Sequence, residues 1–375
     1  MTVRSLLVVL LLVLCGGPVF ADEWQPRDPV KIQNRGGQCL DCHREATPGI
    51  YRDWLTSRHA LLNITCVECH KSSQANPMTR LHQGRFYITP LVPMKVCARC
   101  HNDEAVQYRR SAHGQARARL EKFADDDPRA LLLAEARLRD FDRCGGCHGQ
   151  TLSGEPSEGW RLAGAEPVFP DGSRGSCSGC HRGHRFDMEQ VRRPETCTAC
   201  HEGRFYPEAD LFHASTHGRQ FAVRVRQADL SARGHLLEVD RIGAPSCALC
   251  HMNGSAVGLL TTHDPGERLT RSLAAPWQQA RPDADQRRDR MLAVCSQCHG
   301  SRGARAWLAE ADEQFDAWRG AEVQTGLDGW RQRIEAARYD AEARRQALDG
   351  FAAWLADIKS RAMNLYMGRR DAEQR

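Results

Sequence analysis

The chain has 375 residues, a net charge of +5, 41% hydrophobic residues, 17 cysteines and 16 histidines. Aliphatic residues become sparse after residue 21 and Arg, Gly and Ala take their place, so an ordinary aliphatic core is excluded as the main filling of the interior. Only the first residues are apolar enough to interact with a bilayer, and even that run is short for a span of about 20 residues.

In chain order, Arg4 forms a positive leader end, residues 5 to 14 are apolar apart from Ser5, and Pro18 breaks the run before Val19-Phe20-Ala21. This pattern predicts a secretory signal peptide over residues 1–21, cut after Ala21. A membrane anchor is the alternative, and Leu14 is too large for a lipoprotein site at Cys15. The mature protein is therefore expected to be exported, soluble and periplasmic. Residues 22–38 are a short lead-in without histidine.

The next region, read as one domain over 22–303, contains every other cysteine. Eight times the chain writes Cys-x-x-Cys-His: Cys39, Cys42 and His43; Cys66, Cys69 and His70; Cys97, Cys100 and His101; Cys144, Cys147 and His148; Cys177, Cys180 and His181; Cys197, Cys200 and His201; Cys247, Cys250 and His251; Cys295, Cys298 and His299. An even cysteine count in an exported protein ordinarily suggests disulfides. The spacing suggests covalent haem instead. Thiols at i and i+3 on one helical turn each add to a vinyl group, and the histidine that follows lies under the iron as proximal ligand. Zinc knuckles pair Cys-x-x-Cys but need no histidine after each second cysteine. The expected cofactor is eight covalently bound haem c.

Eight histidines remain: His59, His82, His113, His184, His213, His217, His235 and His263. Two axial imidazoles make an iron six-coordinate and suited to electron transfer, whereas an open face admits a substrate. The count permits eight His/His haems and does not force them; a surface position is the alternative for each. His184, three residues after His181, is expected on the same helical turn and so reaches a neighbouring haem. Two propionates per haem outweigh the positive charge of the chain, so the balance is no sign of nucleic-acid binding, and arginines are expected to pair with propionates.

There is no alternating strand pattern of useful length. Residues 304–375 form a C-terminal helical region, with one helix over 304–319 and a long one over 328–367 that has a candidate break at Gly350. Phe351, Leu355, Ile358, Ala362 and Leu365 recur at helical spacing, so one face is buried against the haem domain or another subunit. The fold class is mostly α: an irregular multihaem cytochrome c fold organised around eight c-type haems, with long C-terminal helices.

Several local patterns are more specific than the haem motifs. They are Ser57-Arg-His59-Ala, Cys177-Ser-Gly-Cys180-His181-Arg-Gly-His184, Ser215-Thr-His217-Gly, Ala244-Pro-Ser-Cys247, His251-Met252 and Thr262-His263. In order and context residues 39–305 resemble the octahaem hydroxylamine oxidoreductase family, which includes octahaem nitrite-reducing cytochromes. The resemblance implies that His59, His82, His113, His184, His217 and His263 are distal ligands. It also implies that the fourth haem, on Cys144, Cys147 and His148, is the catalytic one with an open distal face.

The chain departs from that pattern in three places. Phe205-Tyr206 stand where the family has an Asp-His pair, and no histidine precedes the first motif. The C-terminal region is shorter, and neither Tyr339 nor Tyr366 matches the tyrosine that cross-links the catalytic haem in hydroxylamine oxidisers. His213 or His235 is a candidate replacement ligand. Tyr206 is a candidate proton donor near the fourth haem, with packing over a haem edge as its alternative.

Two functions follow. One is electron transfer between redox partner proteins, such as cytochromes or a quinol-linked membrane cytochrome. The other is an oxidoreductase acting on nitrite, hydroxylamine or a related small nitrogen or sulfur species at the fourth haem. A structural or sensory haem protein is the third, weaker alternative. A homo-oligomer is compatible with both of the first two, because family members are often trimers.

Overall fold

The computed structural model describes residues 29–121, 129–130, 132, 141–153, 162–203, 206–232, 243–254, 259–273 and 275–367. The leader and His235 lie outside the described residues, as does Phe205. The chain divides into two compact units, Met1–Val67 and Glu68–Arg375. The C-terminal helices thus belong to the same unit as most of the haem motifs.

In the first unit, α1 (Pro29–Ala46) runs through the first motif, followed by α2 (Pro48–Leu55) and α3 (Arg58–Leu61). Proline opens α2, where its fixed φ and missing N–H cost nothing. Trp54 packs with Leu40 and Ala60 and donates from Nε1 to the Ile64 carbonyl at 2.9 Å.

α4 (Cys66–His70) crosses the division. The second unit continues with β1 (Arg80–His82), β2 (Phe86–Ile88), α5 (Met94–Cys97), α6 (Asn102–Arg110), α7 (Ala116–Glu121) and α8 (Phe141–His148). Then come a 3-10 turn at Cys177–Gly179, α9 (Met188–Arg192), α10 (Pro194–Thr198), α11 (Glu208–Ala214), α12 (Thr216–Arg224) and α13 (Cys247–His251). The strands form an antiparallel hairpin with His82 opposite Phe86, too short for a period-2 pattern to reveal. Positive φ at Gln83 (52°) and Gly84 (63°) gives the turn the twist that a hairpin favours.

No single aliphatic core fills this unit. The largest groups are separate: Phe212, Phe221, Leu230 and Leu249; Met78, Leu152 and Phe169; and Leu327, Ile334, Leu348 and Phe351. Some buried arginines hold the scaffold. Arg268 donates to the Cys250 carbonyl at 2.8 Å and Arg192 to the Leu230 carbonyl at 2.7 Å. Arg271 pairs with Asp316 at 2.6 Å. These three guanidinium groups bind backbone or carboxylate partners of the chain, a use that the expectation of propionate pairing did not include.

The last helices are α14 (Ala284–Cys295), α15 (Ser301–Trp318), α16 (Gln324–Ala336) and α17 (Ala341–Met367), with a π turn at Arg319–Val323 joining α15 to α16. The expected long helix over 328–367 is therefore two helices, and its break falls before Asp340 rather than at Gly350. Asp340 Oδ1 accepts from the Glu342 and Ala343 amides at 3.0 and 2.9 Å, the capping role that starts a helix. Gly350 is retained inside α17 because the Trp330 ring covers it; a Cβ there would lie 2.6 Å from that ring. Phe351, Ile358 and Ala362 are buried as the spacing predicts, and α17 packs on α11. No described helix is long and apolar enough to cross a membrane.

Candidate haem sites and the pocket at His148

Each motif lies on a short helical turn that closes on itself. The amides of His101, His181, His201 and His299 donate to the carbonyls of Cys97, Cys177, Cys197 and Cys295 at 2.9–3.0 Å. That bond is the i to i−4 contact that brings both thiols and the imidazole to one side of the turn. None of the sixteen cysteines of the motifs is in a disulfide, and no described group of three or more His, Cys, Asp or Glu side chains converges as a zinc site requires.

The other histidines are presented by a repeated device. Ser57, Ser111 and Ser215 each stand two residues before a histidine, and each Oγ accepts the amide of the residue after that histidine at 3.1–3.2 Å. The capped turn aims His59, His113 and His217 away from the serine. The small residue that follows is required by space. At Gly218 a Cβ would lie 1.9 Å from the Phe212 carbonyl oxygen, and at Gly114 it would lie 2.1 Å from that of Tyr108. Sequence reading noted the first and third copies of this Ser-x-His-Gly/Ala pattern and missed Ser111-Ala-His113-Gly.

The tertiary fold then opposes rings across the motifs. His70 faces His184 with ring centroids 6.1 Å apart, His201 faces His113 at 5.8 Å, His181 faces His263 at 6.4 Å, and His299 faces His217 at 5.9 Å. Two imidazoles held by one metal through bonds of about 2 Å place their centroids about 6 Å apart. The four pairs therefore fit an iron between the rings. His184 reaches the second motif rather than its own, although His181 and His184 share no helical turn. His59 on α3 and His82 on β1 are half-buried. His213 is exposed and packs its edge on Phe212.

Second acceptors orient the rings. Nδ1 of His43 lies 2.7 Å from Thr47 Oγ1, that of His70 2.8 Å from the Thr89 carbonyl, that of His148 3.3 Å from the Ala116 carbonyl, and that of His251 3.1 Å from the Pro265 carbonyl. Donation from Nδ1 leaves Nε2 free for a metal. His201 and His101 differ, with Nδ1 3.3 Å from the carboxylate of Glu208 and 4.0 Å from that of Glu104 respectively. Burial pushes His113 down to about 4 and also lowers His148, His217, His251 and His263, which keeps these rings in the neutral, ligating form.

The motifs adjoin in an order different from that of the sequence. Cys97 lies beside Cys177, Cys197 beside Cys247, and Cys147 beside Cys200. Cys69 lies within electrostatic reach of Cys97, Cys180 of Cys197, and Cys250 of Cys295. The second, third, fifth, sixth, seventh and eighth motifs thus form one row, and the fourth branches from the sixth.

At the fourth motif no histidine ring of the described residues pairs with His148. The Tyr206 hydroxyl does so instead, donating to Nε2 at 3.0 Å. Tyr206 therefore occupies the nitrogen through which this imidazole would bind iron. The separation is about 1 Å shorter than two bonds of about 2 Å would set, so a metal on His148 would require the phenol to move away. Burial pushes the Tyr206 hydroxyl up to about 12, leaving it a neutral donor at pH 7. Above its ring, 4.5 Å from the centroid, sits the ammonium of Lys359 from α17, itself 6% exposed. Lys359 Nζ is 2.6 Å from Glu208 Oε1, the same oxygen that faces His201. Burial favours the neutral carboxyl of Glu208, but His201 and Lys359 outweigh it and hold Glu208 below the usual carboxylate range. Sequence reading found Tyr206 but neither Glu208 nor Lys359, because no short-range motif links residues 148, 201, 208 and 359.

Comparison with known proteins agrees with this chemistry. A family model described as "Seven times multi-haem cytochrome CxxCH" matches residues 171–325, and one described as "Cytochrome c554 and c-prime" matches 96–182. A probable nitrite reductase-hydroxylamine oxidoreductase fusion protein of Kuenenia stuttgartiensis is 24% identical over 345 residues, covering 77% of this chain. The chain spans 37% of that relative's length. Among solved structures, a hypothetical multiheme protein superposes with a TM-score of 0.72 at 22% identity, covering 91% of this chain and 92% of the other. A reducing HAO-like protein complex of Kuenenia stuttgartiensis gives 0.55 at 20% identity, covering 84% and 65%.

Proposed function

From the premise that the chain is a multihaem cytochrome c of the hydroxylamine-oxidoreductase-like family, transferring electrons through covalently bound haem, we propose an exported octahaem protein with a small-molecule site at its fourth haem. The cysteines and proximal histidines of all eight motifs hold the haems. His113, His184, His217 and His263 supply distal imidazoles to the sixth, second, eighth and fifth; His59 and His82 are the candidates for two others. The row of motifs conducts electrons between redox partner proteins in the periplasm after removal of residues 1–21.

The fourth position carries the functional reading. Tyr206, a neutral phenol, stands at His148 in the place that a second imidazole takes at His70, His181, His201 and His299. A neutral phenol binds iron weakly, which leaves this iron open to nitrite, hydroxylamine or a related small species. Tyr206 donates a hydrogen bond to that ligand in place of the family's Asp-His pair. A phenol is a slow acid at neutral pH, which is the cost of this substitution.

The test is the mass of the purified holoprotein, then EPR and optical spectra of the oxidised form with and without nitrite, hydroxylamine and cyanide. Eight haems and a high-spin ferric signal that vanishes on ligand addition are expected. A wholly low-spin spectrum unmoved by all three ligands overturns the substrate site and leaves an electron conduit.

A further inference from the structure

The acceptors of the described ligand imidazoles are unequal. His43, His70, His148 and His251 give their Nδ1 proton to a hydroxyl or a backbone carbonyl, and His101 Nδ1 lies 4.0 Å from the more exposed Glu104 carboxylate, beyond hydrogen-bond reach, whereas His201 gives its proton to a carboxylate, Glu208 Oε1, at 3.3 Å. An anionic acceptor makes the imidazole more basic and stabilises ferric over ferrous iron. The carboxylate is not free to act at full strength. Lys359 Nζ lies 2.6 Å from the same oxygen, its side chain is 8% exposed, and the contact comes from a helix more than 140 residues farther along the chain. Glu208 Oε2 is buried with no hydrogen-bond partner in the protein, so Oε1 alone mediates between the ammonium and the imidazole.

We propose that Glu208 and Lys359 are positioning residues that set the potential of the sixth haem: Glu208 lowers it through His201, and Lys359 limits the lowering. The placement gives the setting a purpose. Cys200 of the sixth motif touches Cys147 of the fourth, and Lys359 also lies over the Tyr206 ring. The sixth haem is therefore the immediate electron neighbour of the fourth site, and its potential fixes the driving force for each electron that passes between them. The C-terminal helix α17, which supplies Lys359, becomes part of the redox machinery. This inference rests on the haem array proposed above.

The experiment compares the parent holoprotein with Glu208→Gln and Lys359→Met by potentiometric titration followed in EPR, at neutral pH, where the Glu208 carboxylate and the Lys359 ammonium are both charged. In Glu208→Gln one component of the titration is expected to rise. In Lys359→Met the same component is expected to fall. Each shift is about tenfold in the ferric-to-ferrous ratio at fixed potential, about 59 mV for one electron. No shift, shifts of the same sign, or shifts spread over every haem overturn the proposal, the last because it marks a loss of scaffold. Peptide mass mapping of the parent reports separately on the array: a Cys197–Cys200 peptide without haem sinks that reading and this one together, whereas a haem-bearing peptide with unmoved potentials sinks this one alone.

Discussion

Replacing His217 with alanine tests the pairing geometry most directly. The described pairs fall into two classes by interplanar angle: 28° for His70/His184 and 23° for His181/His263, against 81° for His113/His201 and 74° for His217/His299. Parallel axial rings split the two iron orbitals they overlap and give rhombic ferric signals; crossed rings leave those orbitals nearly degenerate and give a strongly anisotropic one. His217→Ala removes one ring of a crossed pair. It should abolish one spin per chain of the strongly anisotropic signal, leave the rhombic signals unchanged, and create one high-spin ferric centre that imidazole restores to low spin. Ser215→Ala is the graded companion. It deletes only the cap on the His217 turn, worth about 1 kcal/mol, and so raises the population of the opened turn about fivefold. Spin quantitation in frozen solution is the assay. A loss from the rhombic signals, or an unchanged spectrum in His217→Ala, refutes the assignment of His217 to His299.

Gly218→Ala forces a Cβ to within 1.9 Å of the Phe212 carbonyl, so the turn must shift at a cost of about 1–3 kcal/mol, read as a lowered Tm and as high-spin character at the eighth haem. Tyr206→Phe should keep the holoprotein folded, since the ring remains, and speed cyanide binding at the high-spin centre; an unchanged rate removes Tyr206 from the distal face. Asp316 is held below the usual carboxylate range, first by its hydrogen bond from Arg271. Its contribution is present above the unfolded carboxylate pKa and is lost as pH falls through the lower folded value. Arg271→Met should therefore flatten the acid limb of a stability-against-pH curve, and identical acid limbs in parent and variant contradict that role.

The sequence alone determined the cofactor chemistry, because covalent haem attachment is local: two thiols and an imidazole within five residues on one helical turn carry the whole signature. Two of the three Ser-x-His patterns were also legible, because serine, histidine and small residue are neighbours in the chain, as was the buried face of α17, which follows from helical spacing. The sequence did not determine which imidazole opposes which, since residues 70 and 184, or 217 and 299, meet only after the chain has folded. The Gly350 break failed for a related reason: a glycine's weakness within a helix is offset by Trp330 packing across from another helix, whereas Asp340 provides the cap that starts α17. Tyr206 was found by its place after the sixth motif, yet its partner His148 belongs to the fourth. Glu208 and Lys359 were invisible because a carboxylate and an ammonium have no meaning in a sequence until burial removes water from around them and brings them to one oxygen beside His201. Short-range chemistry named the haem; long-range packing chose the order of the array and the groups that surround the fourth and sixth sites.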